Sequence, residues 1–114
     1  YNGIYKGYYI EFDAKETRST TSYSLNNIHK HQLEYIKKVL HHKGIVFLIV
    51  RFTSLNKDFI LKGEDLMEYI KDNDRKSIPL SYFEENCYKI ETKYAPRLDY
   101  IKIVDHIIKE KCLA

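Results

Sequence analysis

The stretch Tyr8-Tyr9-Ile10-Glu11-Phe12-Asp13-Ala14-Lys15 alternates with a period of two. Ile10, Phe12 and Ala14 fall on one side; Glu11, Asp13 and Lys15 fall on the other. The pattern predicts a strand with one face on a core and one face crowded with charge. Upstream, Asn2-Gly3 and Lys6-Gly7 are closely spaced turn signals, so residues 1–18 read as β structure that opens on a hairpin.

Downstream, the hydroxyl-rich segment Arg18 to Ser24 reads as a loop. Asn26 or Asn27 is expected to cap a helix running to about His42. Its apolar arc holds Ile28, Leu33, Tyr35, Ile36, Val39 and Leu40, with Lys30, Glu34, Lys37, Lys38 and His41 opposite. Gln32 stands out because it falls inside the apolar arc. Cationic residues at the helix end and Gly44 after it are stop signals. Ile45 to Phe52 is then almost continuously apolar and β-branched, which predicts a central strand buried on both faces. Shorter pieces follow: a strand at Phe59 to Leu61, a helix at Glu64 to Lys71 and a polar loop from Asp72 to Ser77. A short helix marked by the capping-box spacing of Ser81 and Glu84 comes next. A strand from Tyr88 to Glu91 and a final helix from about Asp99 to Lys109 close the order. The sum is an α/β domain with a mixed central sheet flanked by helices.

A chain of 114 residues is expected to form a single domain spanning 1–114. With 44% hydrophobic and 31% charged residues, disorder is not expected. The formal net charge of +3 permits a polyanionic partner without demanding one. The longest wholly apolar run, Ile45 to Val50, is far too short to span a bilayer, and no secretory signal stands at the front. Cys87 and Cys112 fit neither a disulfide framework nor a zinc site, which makes a reducing cytoplasm the expected location. The sequence opens on Tyr1 rather than methionine, so an upstream segment is expected.

On a strand, Asp13 and Lys15 share a face with Cα atoms roughly 7 Å apart. A carboxylate and a lysine so spaced suit metal-assisted phosphodiester hydrolysis. Mg²⁺ takes hard oxygen ligands and keeps several waters. Asp13 can give one oxygen, the Ala14 carbonyl another, and Glu11 can complete the shell. Lys15 can orient water or stabilise developing negative charge. The plain alternative is a surface ion pair, which this spacing also produces.

Gly7 to Thr17 as a whole resembles the active-site strand of the RecU Holliday junction resolvases. Leu25-Asn26-Asn27-Ile28-His29-Lys30-His31-Gln32 is similar to the family's helix entry, and Gly44 to Phe52 to its buried strand. Arg75-Lys76-Ser77-Ile78-Pro79 and Pro96-Arg97-Leu98-Asp99-Tyr100 resemble its later signatures. The resemblance covers essentially the whole chain. It implies a restriction-endonuclease-like core of the PD-(D/E)xK class and Mg²⁺ or Mn²⁺ as cofactor. It also implies a homodimer and symmetric nicking of four-way DNA junctions in bacterial recombination and repair, with the bacterial recombinase as a further partner. Two departures matter. Asp13 stands where the family has Glu in its Glu-Ala-Lys motif. The family's first catalytic Asp lies just before the residue matching Tyr1. The chain is therefore expected to be a fragment of a longer resolvase.

Asp13, Lys15 and Gln32 are the catalytic candidates, and Asp13, Ala14 and Glu11 the metal-holding ones. Gln32 has two readings: a bond to backbone within the core, or a reach to the active-site strand. Arg18, Arg75 and Lys76 are candidate DNA-backbone contacts, against a plain solubility role. Arg97 is read as an internal ion-pair former. His29 and His31 do not share a helix face, so a zinc site is not expected. Among 11 tyrosines most are read as core, with Tyr23 as the base-stacking candidate. The cysteines are read as packing residues. Two alternatives to a resolvase are a branched-DNA-binding module of this fold that does not cut, and a nuclease of the class that acts on ends or nicks.

Overall fold

In a computed structural model of the chain, which describes residues 2–73, 76–90 and 104–110, two turn residues with positive φ start the sheet. Lys6 (φ 51°) and Gly7 (φ 83°) join β1 (Asn2–Tyr5) to β2 (Tyr8–Thr17). Positive φ at both central positions is the signature of the tight hairpin turn whose twist matches its strands. β2 continues past the predicted Lys15 to Thr17.

β4 (Ile45–Phe52) lies beside β2 in parallel, from Ile10↔Ile45 to Thr17↔Phe52 without a break. Its buried residues divide by parity, as the continuous apolar run predicts. Val46, Leu48, Val50 and Phe52 enter one core; Ile45 and Phe47 enter the other. β5 (Lys57–Lys62) pairs antiparallel with β4, and β7 (Tyr88–Ile90) pairs with β5. The five-stranded order is β1-β2-β4-β5-β7. It is a mixed sheet, compatible with a restriction-endonuclease-like core.

The larger core is closed by α1 (Lys30–His41), α2 (Gly63–Asp72) and α3 (Leu80–Asn86). The smaller core is closed by helical residues 104–110, through Val104, Ile107 and Ile108. Phe12 stacks on Phe47 across this second core at 5.1 Å, which fixes the face that β2 turns inward. On the β4–β5 hairpin the nearly buried Asp58 accepts from Arg51 Nη1 at 2.8 Å, and Arg51 Nη2 donates to Asn56 at 2.7 Å. No helix among the described residues is long and apolar enough to cross a membrane.

Three local expectations are corrected. The segment read as a loop contains β3 (Ser22–Ser24), which pairs with β6 (Ser77–Pro79) in a separate two-stranded sheet. Asn26 and Asn27 belong to a 3₁₀ turn capped by Ser24, and α1 starts later, with His29 as its N-cap. The spacing of Ser81 and Glu84 is not a cap, because α3 already starts at Leu80 with Pro79 before it. The part of the predicted last helix before residue 104, and Arg97, lie outside the described residues.

Gly63 opens α2 where the helix start presses on β4. A Cβ there would lie 2.6 Å from Val46 Cγ1 and 3.0 Å from both Ile36 Cγ2 and the Val46 carbonyl. Because the carbonyl belongs to the central strand, Gly63→Ala is expected to destabilise the fold by about 1–3 kcal/mol. Urea unfolding measures this directly, and an unchanged midpoint would contradict the close approach.

Candidate active site

β2 brings its charged residues to the side of the sheet that α1 covers. Ile10 enters the smaller core, so Glu11, Asp13 and Lys15 face the opposite way by strand alternation. The alternation is as expected, but of the three residues expected on the core face only Ile10 and Phe12 pack there. Ala14 is exposed because, among the described residues, the smaller core does not reach that far along β2.

Lys15 Nζ lies 3.1 Å from Asp13 Oδ2. The Asp13 side chain is half exposed at 51%, whereas that of Lys15 is only 18% exposed. Lys15 thus reaches its partner from beneath, with its alkyl stem sheltered. Gln32 completes a triangle. Its Nε2 donates to Asp13 Oδ2 at 3.3 Å, and its Oε1 accepts from Lys15 Nζ at 3.3 Å. The same Oε1 accepts from the His29 backbone N–H at 3.1 Å. Two donors on Oε1 fix the orientation of the amide and aim its NH₂ at the carboxylate. Gln32 reaches β2, as one of its two readings expected; the backbone group it serves is the exposed His29 N–H at the helix entry and not one in the core.

Asp13 Oδ1 accepts from the Ala14 N–H at 3.0 Å. The Ala14 carbonyl has its own place. Tyr5 and Tyr8 close the two-residue hairpin, so their backbone groups point at one another. Backbone direction alternates, which turns the Ala14 carbonyl toward the β1 side of β2. Among the described residues, β1 pairs with β2 from Tyr5↔Tyr8 to Asn2↔Glu11, and Ala14 lies beyond that ladder, next to Asp13.

Glu11 is held separately. Its Oε2 accepts from Tyr9 Oη at 2.6 Å, and Tyr9 Oη lies 3.1 Å from Tyr35 Oη. The bond to Glu11 raises the Tyr9 pKa above its ordinary value. Glu11, Asp13, Gln32 and Tyr35 line one cleft of about 180 Å³, floored by Val46 and Leu48. Tyr35, read as part of the apolar arc, is 45% exposed. Neither Tyr9 nor Tyr35 was among the candidate residues. The available signals were that Tyr9 shares a strand face with Glu11 and that Tyr35 follows Gln32 by three positions on the helix.

The groups here that could ligate a metal, the Asp13 and Glu11 carboxylates and the Ala14 carbonyl, present oxygens, which suits a hard divalent cation that retains water. The described residues contain no group of three or more His, Cys, Asp or Glu able to hold a metal, so any such cation takes two carboxylates at most from them. Asp13, the Ala14 carbonyl and Glu11 would hold it.

The remaining candidates separate. Arg18 and Lys76 are exposed while their backbones are anchored: the Arg18 carbonyl accepts from Ser54 Oγ, and that of Lys76 from the Leu25 N–H, each at 2.9 Å. Arg75 lies outside the described residues. Tyr23 is not a base-stacking residue, because it is fully buried with its ring edge-on to Phe83. Burial, and then the negative charge of Asp13, push its pKa up to about 12. The rings of His29 and His31 stack at 5.6 Å. Cys87 packs against the larger core, and burial pushes its thiol up to about 12, which suits packing and not nucleophilic attack. Cys112 lies outside the described residues.

The family model for Recombination protein U (RecU) matches residues 1–106. Proteins named Holliday junction resolvase RecU from Staphylococcus aureus strains JH9, COL and N315 are each 48% identical over 114 residues. Those alignments cover 97% of this chain and 55% of the relative, so the chain spans about half the length of the curated relatives it matches.

Gln32→Ala removes the acceptor of the His29 N–H together with the link between Lys15 and Asp13. The loss of stability is expected to be about 1 kcal/mol, as for a lost helix cap. Equilibrium urea unfolding checks it, and no loss would show that the amide contributes nothing to the helix entry.

Proposed function

The chain belongs to the Recombination protein U (RecU) family, and on that premise we propose that it carries the catalytic core of a metal-dependent, structure-selective endonuclease. The substrate is a four-way (Holliday) DNA junction, resolved by paired symmetric nicks during recombination and repair. The observation that carries this reading is the triangle of Asp13, Lys15 and Gln32.

Mg²⁺, or Mn²⁺ in its place, is the proposed cofactor, held by Asp13, the Ala14 carbonyl and Glu11. The chemistry supplied by the bound cation is neutralisation of phosphate charge and a lowered pKa for a coordinated water. Lys15, sheltered and pinned between Asp13 and Gln32, presents its ammonium to the phosphate oxygen where negative charge builds up. Gln32 keeps that ammonium and the carboxylate in register. Arg18, Arg75 and Lys76 are proposed to contact the DNA backbone, which positions the duplex without reading its sequence.

A further donor is proposed to come from chain upstream of residue 1. The β1–β2 register runs Gly3↔Ile10, then Asn2↔Glu11. The described end of β1 thus lies beside Glu11, two residues from Asp13, and the family resemblance puts another Asp in the sequence just before the residue matching Tyr1. Two copies related by a two-fold axis suit paired nicks on a symmetric junction, so a homodimer is proposed. A cytoplasmic setting and contact with the bacterial recombinase complete this reading. The short supply of carboxylates among the described residues favours a second reading for residues 1–114 alone: a module that grips branched DNA without cutting it.

The test is a gel assay on a labelled four-way junction and its linear-duplex control, in Mg²⁺. It uses residues 1–114 and a version extended upstream with its native sequence. The extended protein is expected to nick the junction symmetrically, and Lys15→Ala to slow it by about 10²-fold or more. Binding of the junction without cleavage by either version would select the second reading. No preference for the junction in binding or cutting would overturn both.

A further inference from the structure

The hydroxyl of Tyr9 touches two groups, Glu11 Oε2 at 2.6 Å and Tyr35 Oη at 3.1 Å. It has one proton. The shorter, charge-assisted bond to the carboxylate takes that proton. Tyr35 must then be the donor in the longer contact. The result is a directed chain from Tyr35 on α1, through Tyr9, to Glu11 on β2. Gln32 makes the parallel reach from the same helix to Asp13. Thus α1 holds both acids of the charged strand face, one directly and one through Tyr9.

Tyr9 and Tyr35 are both exposed, at 37% and 45%, so core packing does not account for their placement. The bond engages one oxygen of Glu11, and Glu11 lines the same cleft as Asp13. We propose that Tyr9, backed by Tyr35, is a positioning residue that holds Glu11 as a second oxygen donor for the divalent cation at Asp13. This rests on the nuclease reading above. Its physical basis is that a ligating carboxylate is oriented by the hydrogen bonds it receives.

The test is Mn²⁺ binding to the full-length protein, followed by the electron paramagnetic resonance signal of free Mn²⁺ without DNA or turnover. Tyr9→Phe keeps the ring and removes only the hydroxyl. It is expected to weaken binding by about tenfold, the usual effect of losing a group that orients a ligand. Tyr35→Phe, which leaves the Tyr9–Glu11 bond in place, is expected to weaken it less. Glu11→Gln should weaken it at least as much as Tyr9→Phe, and the double variant no more than Glu11→Gln alone. Wild-type binding by Tyr9→Phe, with Glu11→Gln weakened, would overturn the proposal. So would additive losses in the double variant. If Asp13→Asn also binds Mn²⁺ like wild type, the metal reading itself fails, which is a separate result. Should Tyr9→Phe prove poorly folded by its thermal midpoint, Tyr35→Phe carries the test, and unchanged binding there would count against the relay.

Discussion

The parallel ladder between β2 and β4 is the constraint on which the rest of the structure depends. β4 is apolar on both faces and can only be satisfied inside two cores. Its partner strand must match it residue for residue from Ile10 to Thr17. A slip of one position would turn Phe12 out of its stack on Phe47 and bring Glu11 to the place of Ile10 or Phe12, against the smaller core. Burying that carboxylate in an apolar setting costs several kcal/mol even after relaxation, comparable to a whole domain's margin of stability. The register that places the charged face is therefore enforced by the core.

That arrangement also explains why the acids sit where they do. β2 is tied from Ile10 to Thr17 to β4, which holds the side chains of its charged face in place. α1 covers that same face. Gln32 makes the helix entry and the site one unit, because one amide oxygen serves the His29 N–H and the Lys15 ammonium. Stability at that helix end and geometry at Asp13 are thereby coupled.

Legibility in the sequence followed the range of the interactions. The two-residue alternation from Tyr8 to Lys15 and the apolar run from Ile45 to Phe52 are local patterns, and both strands formed as expected, although Ala14 on the inner face of β2 lies beyond the smaller core. Asp13, Lys15 and Gln32 were visible because each broke or carried such a pattern. The β3 strand was not visible. Its serines and Tyr23 read as a polar loop until Ser77–Pro79, far along the chain, pairs with it. The start of α1 was displaced because a 3₁₀ turn absorbs the two asparagines. In their place the reciprocal bond between His29 and Gln32 marks the entry. Tyr9 and Tyr35 were missed for the same reason as β3: they meet across 26 residues of sequence, and only that meeting gives each its polar partner across the site.

The central claim is that β2 presents Asp13, with Ala14 and Glu11, as the place where a divalent cation meets the DNA phosphate. The most direct measurement is anomalous scattering from crystals of the upstream-extended protein grown with Mn²⁺. The account predicts a peak roughly 2 Å from an Asp13 carboxylate oxygen, the spacing of a hard-cation ligand. A peak in the acidic hollow lined by Asp65, Glu68 and Asp72, with none at Asp13, would contradict it.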